Sequence, residues 1–135
     1  MIGEKLVVSG KRKRSVARAT ISKGNGRVTL NKTSYESLPE FRRLMIEEPL
    51  MIAREKLGEI AYNIDVMVKG GGSEARIEAA RLAIAKALVA ITKSAELKKA
   101  YLAYDKHLLI ADTRRKETYK PGDSKARSKR QKSYR

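Results

Sequence analysis

Ile60-Ala61-Tyr62-Asn63-Ile64-Asp65-Val66-Met67-Val68-Lys69 runs directly into Gly70-Gly71-Gly72-Ser73. Ile60, Tyr62, Ile64, Val66 and Val68 fall on one side of a period-two pattern, with Asn63, Asp65, Met67 and Lys69 on the other. That alternation predicts a β-strand with one buried face. The glycines end the strand, and Ser73 is placed to cap a following helix. In that helix Ile77, Ala80, Ile84, Leu88 and Ile91 recur at helical spacing, and Arg76, Lys86 and Lys93 lie off the stripe. Alanines at 79, 83, 85, 87 and 90 leave room for the helix to lie close on a sheet.

Working outward, Ser94 is placed to cap a third helix through Leu97, Tyr101, Tyr104 and Leu108. On the other side of the strand, Leu38, Phe41, Leu44 and Met45 predict a helix that Pro39 can start. Pro49 is expected to break it and begin a second short helix carrying Leu50, Ala53 and Leu57, which Gly58 stops. Glu47 and Glu48 diverge as helix neighbours and cannot act as a paired acid and base, so they read as surface. Further upstream, Ala17, Ala19 and Ile21 alternate with Arg14, Val16, Arg18 and Thr20. Gly24-Asn25-Gly26 suits a tight turn, and Val28 and Leu30 alternate after it, which predicts a β-hairpin. The alternation also predicts that Arg12, Arg14 and Arg18 share an outward face. Leu6, Val7 and Val8 mark a first short strand before the basic run Lys11-Arg12-Lys13-Arg14.

Apolar periodicity stops near Asp112, which divides the chain into a globular domain, 1–112, and an extended basic C-terminal tail, 113–135. The tail carries Arg114, Arg115, Lys116, Lys120, Lys125, Arg127, Lys129, Arg130, Lys132 and Arg135 against Glu117 and Asp123. It holds +8 of a net +16 in 23 of 135 residues and contains no Leu, Ile, Val, Phe or Met. Such a segment is expected to be disordered alone in water and to bind a polyanion, with Tyr119 and Tyr134 offering faces for base stacking. A sequence pI near 10.3 points to nucleic acid ahead of an anionic membrane. No apolar run approaches the roughly 20 residues of a membrane span, and the start, residues 1–11, is too short and polar for a secretory signal. With no cysteine there is no disulfide or thiolate metal site, which fits a reducing cytoplasm.

The strand–Gly-Gly-Gly–helix junction lacks the lysine of a P-loop and the spacing of a dinucleotide fingerprint, so it reads as a sharp turn or a backbone contact with RNA phosphate. His107, the one histidine, has no cysteine or carboxylate cluster to complete a metal site. No nucleophile motif accompanies it. No cofactor, no metal and no catalytic residue is expected.

Four motifs together resemble the small-subunit ribosomal protein nine family: Gly10-Lys11-Arg12-Lys13-Arg14-Ser15-Val16-Ala17-Arg18-Ala19, Gly24-Asn25-Gly26, Val68-Lys69-Gly70-Gly71-Gly72, and the ending Gln131-Lys132-Ser133-Tyr134-Arg135. The ending is similar to the archaeal and eukaryotic branch. Ala75-Arg76 depart from the Gly-Gln that many members carry there. The resemblance implies an α+β fold: a mixed β-sheet with helices packed on one face, like the second domain of ribosomal protein five, with a left-handed β-α-β crossover and an extended basic tail. It implies binding of ribosomal RNA in the head of the small subunit, beside neighbouring head proteins, in the cytoplasm. By the same match, Lys11, Arg12, Lys13, Arg14, Arg18, Lys69, Gly70, Gly71 and Gly72, with the tail cations from Arg114 to Lys132, contact ribosomal RNA. Ser133, Tyr134 and Arg135 then reach the anticodon stem-loop of the tRNA in the peptidyl site. Two rivals are a DNA-compacting protein, for which no helix-turn-helix or heptad signature is present, and an enzyme acting on RNA.

Overall fold

In a computed structural model of the chain, residues 5–111 are described. Five strands form one mixed sheet: β1 (Lys5–Arg12), β2 (Ser15–Lys23), β3 (Val28–Leu30), β4 (Thr33–Ser34) and β5 (Tyr62–Lys69) in the spatial order β1-β2-β5-β3-β4. The strand that runs into the triple glycine, β5, is thus the central one. Ile64, Val66 and Val68 are buried on one face, and Asp65, Met67 and Lys69 are exposed on the other. β5 runs antiparallel to β2 and parallel to β3, so β3, α1 and β5 form a β-α-β unit between adjacent strands.

All three helices lie on the buried side. α2 (Ser73–Thr92) packs on β1, β2 and β5, and α1 (Glu40–Leu57) and α3 (Ala95–Tyr104) pack on α2 and on each other. Ala79, Ala83, Ala85 and Ala87 are fully buried, while Ala90 is exposed. Gly10 matches them across the interface. A Cβ there would stand 2.6 Å from the Ala79 carbonyl oxygen and 2.7 Å from the Ala83 nitrogen, so β1 and α2 approach backbone to backbone.

Several local expectations are corrected. Gly24-Asn25-Gly26 does not close a hairpin between β2 and β3, because β5 lies between them. The turn wraps the start of β5: Gly24 donates to the Ala61 carbonyl at 3.0 Å, and Asn63 Oδ1 accepts from the Asn25 and Arg27 amides at 3.0 and 3.1 Å. The real hairpin joins β1 and β2 through Lys13-Arg14, with Lys13 at φ 53°, so the basic run is itself a turn. A second tight turn, Asn31-Lys32, joins β3 to β4 with both residues at positive φ, 48° and 69°, the geometry that favours asparagine.

Pro49 does not split the helical region. α1 is one 18-residue helix with Pro49 inside and Gly58 at its end, φ 79°. An interior proline costs about 3 kcal/mol, and burial of Ile46, Leu50 and Ala53 against the rest of the core offsets it. The buried Tyr101 hydroxyl donates to the Pro49 carbonyl at 2.7 Å. Ser73 is the first residue of α2 and not its cap; Gly72 holds the cap position, and the Ser73 hydroxyl accepts from Arg42 Nη2 at 2.8 Å. Ser94 does cap α3, accepting from the Leu97 amide at 3.3 Å. α3 stops at Tyr104, and Asp105 starts a separate turn, Lys106–Leu108, that buries Leu108.

Candidate nucleic-acid interface

The face of the sheet away from the helices is open. Cross-strand register sets Val16 against Lys69, Arg18 against Met67, and Thr20 against Val7 and Asp65. Val7, Arg14, Val16, Arg18, Thr20, Met67, Lys69 and Gly70 line one shallow groove. Arg27, Thr29, Lys32, Asp65, Val66 and Met67 line a second that shares Met67. The two bring Arg14, Arg18, Lys69, Arg27 and Lys32 to one surface with, among the described residues, a single carboxylate, Asp65, which accepts from the Thr29 hydroxyl at 2.6 Å. Val7 and Met67 are exposed apolar side chains among these cations, 62% and 43% accessible. Long cations interleaved with flat or flexible apolar surface can meet phosphates and base faces together.

The expected grouping of Arg12, Arg14 and Arg18 on one face is corrected. Arg12 pairs with Ser15 across the hairpin and points to the helical side, where its Nε donates to Glu78 Oε2 on α2 at 2.5 Å. Its side chain is 15% exposed. Lys11 is exposed on the edge strand beside the cleft that Arg12, Glu78, Arg81, Asp105 and His107 line. Lys13 is exposed at the tip of the turn. His107 sits over the short turn after α3, with Nδ1 3.3 Å from the Ile110 carbonyl oxygen.

Gly70 and Gly71 take positive φ, 79° and 64°, and a Cβ on Gly70 would lie 2.6 Å from the Arg14 carbonyl oxygen. The Ser15 hydroxyl and Arg76 Nε both donate to the Gly70 carbonyl, at 2.9 and 3.0 Å. The glycines therefore dock the end of β5 under the β1–β2 turn, which places Lys69 beside Arg14. The departure at Ala75-Arg76 is compatible with this: Ala75 is buried, and Arg76 braces the loop. Sequence reasoning overlooked Arg27 and Lys32, because only the parallel pairing of β3 with β5 brings them to the Met67 end of the groove.

A family model described as ribosomal protein S9/S16 matches residues 10–135, nearly the whole chain. The chain belongs to the ribosomal protein S9/S16 family. Among its relatives is the small ribosomal subunit protein uS9 of Methanococcus vannielii, 43% identical over 129 residues, covering 93% of this chain and 95% of that protein. The protein of the same name from Methanococcus maripaludis strain C5 is similar to the same extent. The family match runs through the basic turn, the triple glycine and the whole tail. Arg114, Arg115, Lys116, Lys120, Lys125, Arg127, Lys129, Arg130, Lys132, Ser133, Tyr134 and Arg135, together with the domain boundary at 112, lie outside the described residues. Among the described residues no group of His, Cys, Asp or Glu could hold a metal ion, and no helix is long and apolar enough to cross a membrane.

Proposed function

We propose that the chain contacts small-subunit ribosomal RNA through the open face of its sheet, and that its tail continues the contact to the tRNA in the peptidyl site. As an S9/S16 family member it is a structural protein of the small ribosomal subunit at work in translation, not an enzyme. One observation carries the finer reading: among the described residues, Arg14, Arg18, Lys69, Arg27 and Lys32 share a surface with one carboxylate, which is bonded to a threonine. Phosphate contacts supply the affinity, by neutralisation and counterion release. Specificity comes from RNA shape, because side chains cannot enter the deep A-form major groove. Lys11 and Lys13 extend the cationic surface along the β1–β2 turn, and Gly70-Gly71-Gly72 let it come close to the RNA backbone. Arg12 serves the fold first, through Glu78.

The tail cations from Arg114 to Lys132 anchor on ribosomal RNA in this reading, which leaves Ser133, Tyr134 and Arg135 to meet the anticodon stem-loop. About 20 extended residues span on the order of 60 Å, so the reach is adequate. The tip offers one stacking ring and one guanidinium fork, beside a terminal carboxylate that phosphate repels. Such a contact is worth about 1–3 kcal/mol, enough to bias tRNA occupancy without holding the protein on the subunit. Deleting Ser133 to Arg135 should leave incorporation into subunits normal and weaken initiator-tRNA binding. Lost incorporation, or unaltered tRNA binding and reading-frame fidelity, would refute the tail assignment. Crosslinking the protein in cells and sequencing the attached RNA tests the sheet face; ribosomal RNA should be the dominant product.

A further inference from the structure

One face of the molecule has the opposite character to the open sheet. Between Tyr35 and Ala61 the chain carries Glu36, Glu40, Glu47, Glu48, Glu55 and Glu59 against Arg42, Arg43, Arg54 and Lys56, a net −2 in a chain of net +16. Most of this segment is α1. Its inner side, Ile46, Leu50 and Ala53, is buried. Its outer side presents Phe41, Leu44 and Met51, 72%, 46% and 60% exposed. Leu44 and Met51 are seven residues apart, two turns along one face, and Phe41 is one turn before Leu44. The positions three and four residues from Leu44 or Met51 within the helix are Glu40, Phe41, Glu47, Glu48, Arg54 and Glu55. Four of these six are carboxylates. Glu48 is drawn onto Arg81 at 2.6 Å, and Glu47 lies 3.9 Å from Arg43. Single exposed apolar residues are ordinary, but three aligned on one helix face inside an acidic rim form a patch of the kind that meets a partner.

We infer that the outer face of α1 docks a Lys/Arg-rich segment of another protein that inserts apolar side chains beside Phe41, Leu44 and Met51. The inference rests on the ribosomal reading above, which supplies the setting of neighbouring basic proteins. RNA is disfavoured by charge: its phosphates would meet Glu40 and Glu55, and like charges across a contact oppose it. The chain's own tail has the right charge but no Leu, Ile, Val, Phe or Met with which to fill the patch. A basic protein segment with apolar anchors satisfies both the carboxylates and the exposed apolar surface.

A photoreactive benzophenone amino acid at position 51, in full-length chain assembled into small subunits, tests this directly. The same probe at position 67, on the open sheet face, serves as the second arm. The expected result is a protein adduct at 51, mapped to a Lys/Arg-rich peptide of another subunit protein, and an RNA adduct at 67. An RNA adduct at 51, an adduct to the chain's own tail, an acidic peptide, or no adduct would overturn the docking proposal. A missing RNA adduct at 67 would overturn the sheet-face reading instead, so the two failures are distinguishable. Phe41→Gln with Leu44→Gln, which removes the apolar surface without adding charge, should cut the protein adduct at 51 by about tenfold, the factor equivalent to 1.4 kcal/mol. Because both side chains are exposed, the thermal midpoint of the free protein should not move. An undiminished adduct in that variant would equally overturn the proposal.

Discussion

Replacing Arg14, Arg18 and Lys69 together by Ala should weaken binding of the full-length protein to small-subunit ribosomal RNA in a salt-dependent way, whereas Arg12→Ala should not. The three targets line one groove on the open face, and Arg12 stands on the other side of the sheet, bonded to Glu78. Each lost phosphate contact removes about 0.7–0.9 from the slope of log affinity against log salt. Three contacts therefore lower the slope by about 2–3. At about 0.1 M monovalent salt the same relation gives a loss of about two to three log units in affinity, shrinking toward nothing near 1 M. The tail is intact in both variants, so its contacts cancel in the comparison. Arg12→Ala removes a part-exposed ion pair, whose side chains are 15% and 39% accessible, and some packed stem. A stability loss of about 1 kcal/mol follows, with the salt slope unchanged. Equilibrium binding across a salt series, with urea unfolding of each variant, separates the two effects. A triple variant that keeps the parent slope, or an Arg12→Ala slope that falls as far, would refute the assignment of faces.

Gly10→Ala should destabilise the free protein by about 1–3 kcal/mol, the range of an overpacked core, because its Cβ meets α2 backbone at 2.6 Å. Gly72→Ala, with φ −83° and nothing within 4 Å of the added Cβ, should be far milder, because the entropy removed from the unfolded chain offsets the poorer N-cap; urea midpoints check both. Burial pushes the Tyr101 phenol well above its ordinary value near 10. A raised folded-state value makes its stabilisation complete below pH 10 and lost as pH rises beyond it, because the unfolded chain ionises first. Thermal midpoints should therefore fall more steeply above pH 10 in the parent than in Tyr101→Phe. That variant should lose about 1 kcal/mol at neutral pH with the Pro49 hydrogen bond.

The central strand and the long helix were legible because their patterns are local. Ile64, Val66 and Val68 alternate over the length of one strand, and Ile77, Ala80, Ile84 and Leu88 repeat at helical period, so each element fixes its own buried face. Pairing was not legible. Asn25-Gly26 is a strong hairpin signal, yet the turn's amides are taken by Asn63, 36 and 38 residues away, and no local pattern announces that acceptor. Pro49 misled for a related reason: its cost is local, whereas the packing that offsets it comes from α2 and α3. The face of Arg12 was hidden because Lys11-Arg12-Lys13-Arg14 is uniformly charged and has no alternation to read. Only the register, with Gly10 opposite Ala17 and Arg12 opposite Ser15, fixes which way the side chain points.

Net charge alone would suggest that any surface of a +16 chain attracts RNA, and the placement of the carboxylates argues otherwise. Among the described residues, the ion pairs are Arg12–Glu78, Arg43–Glu47, Arg81–Glu48 and Arg81–Asp105. Each involves a helix or the turn after one, so these acids neutralise cations within the helical layer. Among the described residues the open sheet's grooves have only one carboxylate, Asp65, and a threonine hydroxyl holds it. Among the described residues, five cations there meet one carboxylate, and that surplus of positive charge is what phosphate gains from meeting. Arg18 opposes Met67 directly and lies diagonal to Lys69, about 7–8 Å away in an antiparallel sheet. Two like charges projecting from neighbouring positions on one sheet face repel modestly in the free protein, and an incoming phosphate relieves the repulsion as it binds. RNA affinity should therefore follow where the uncompensated cations sit, and an added carboxylate on the sheet face should matter far more than one added on α3.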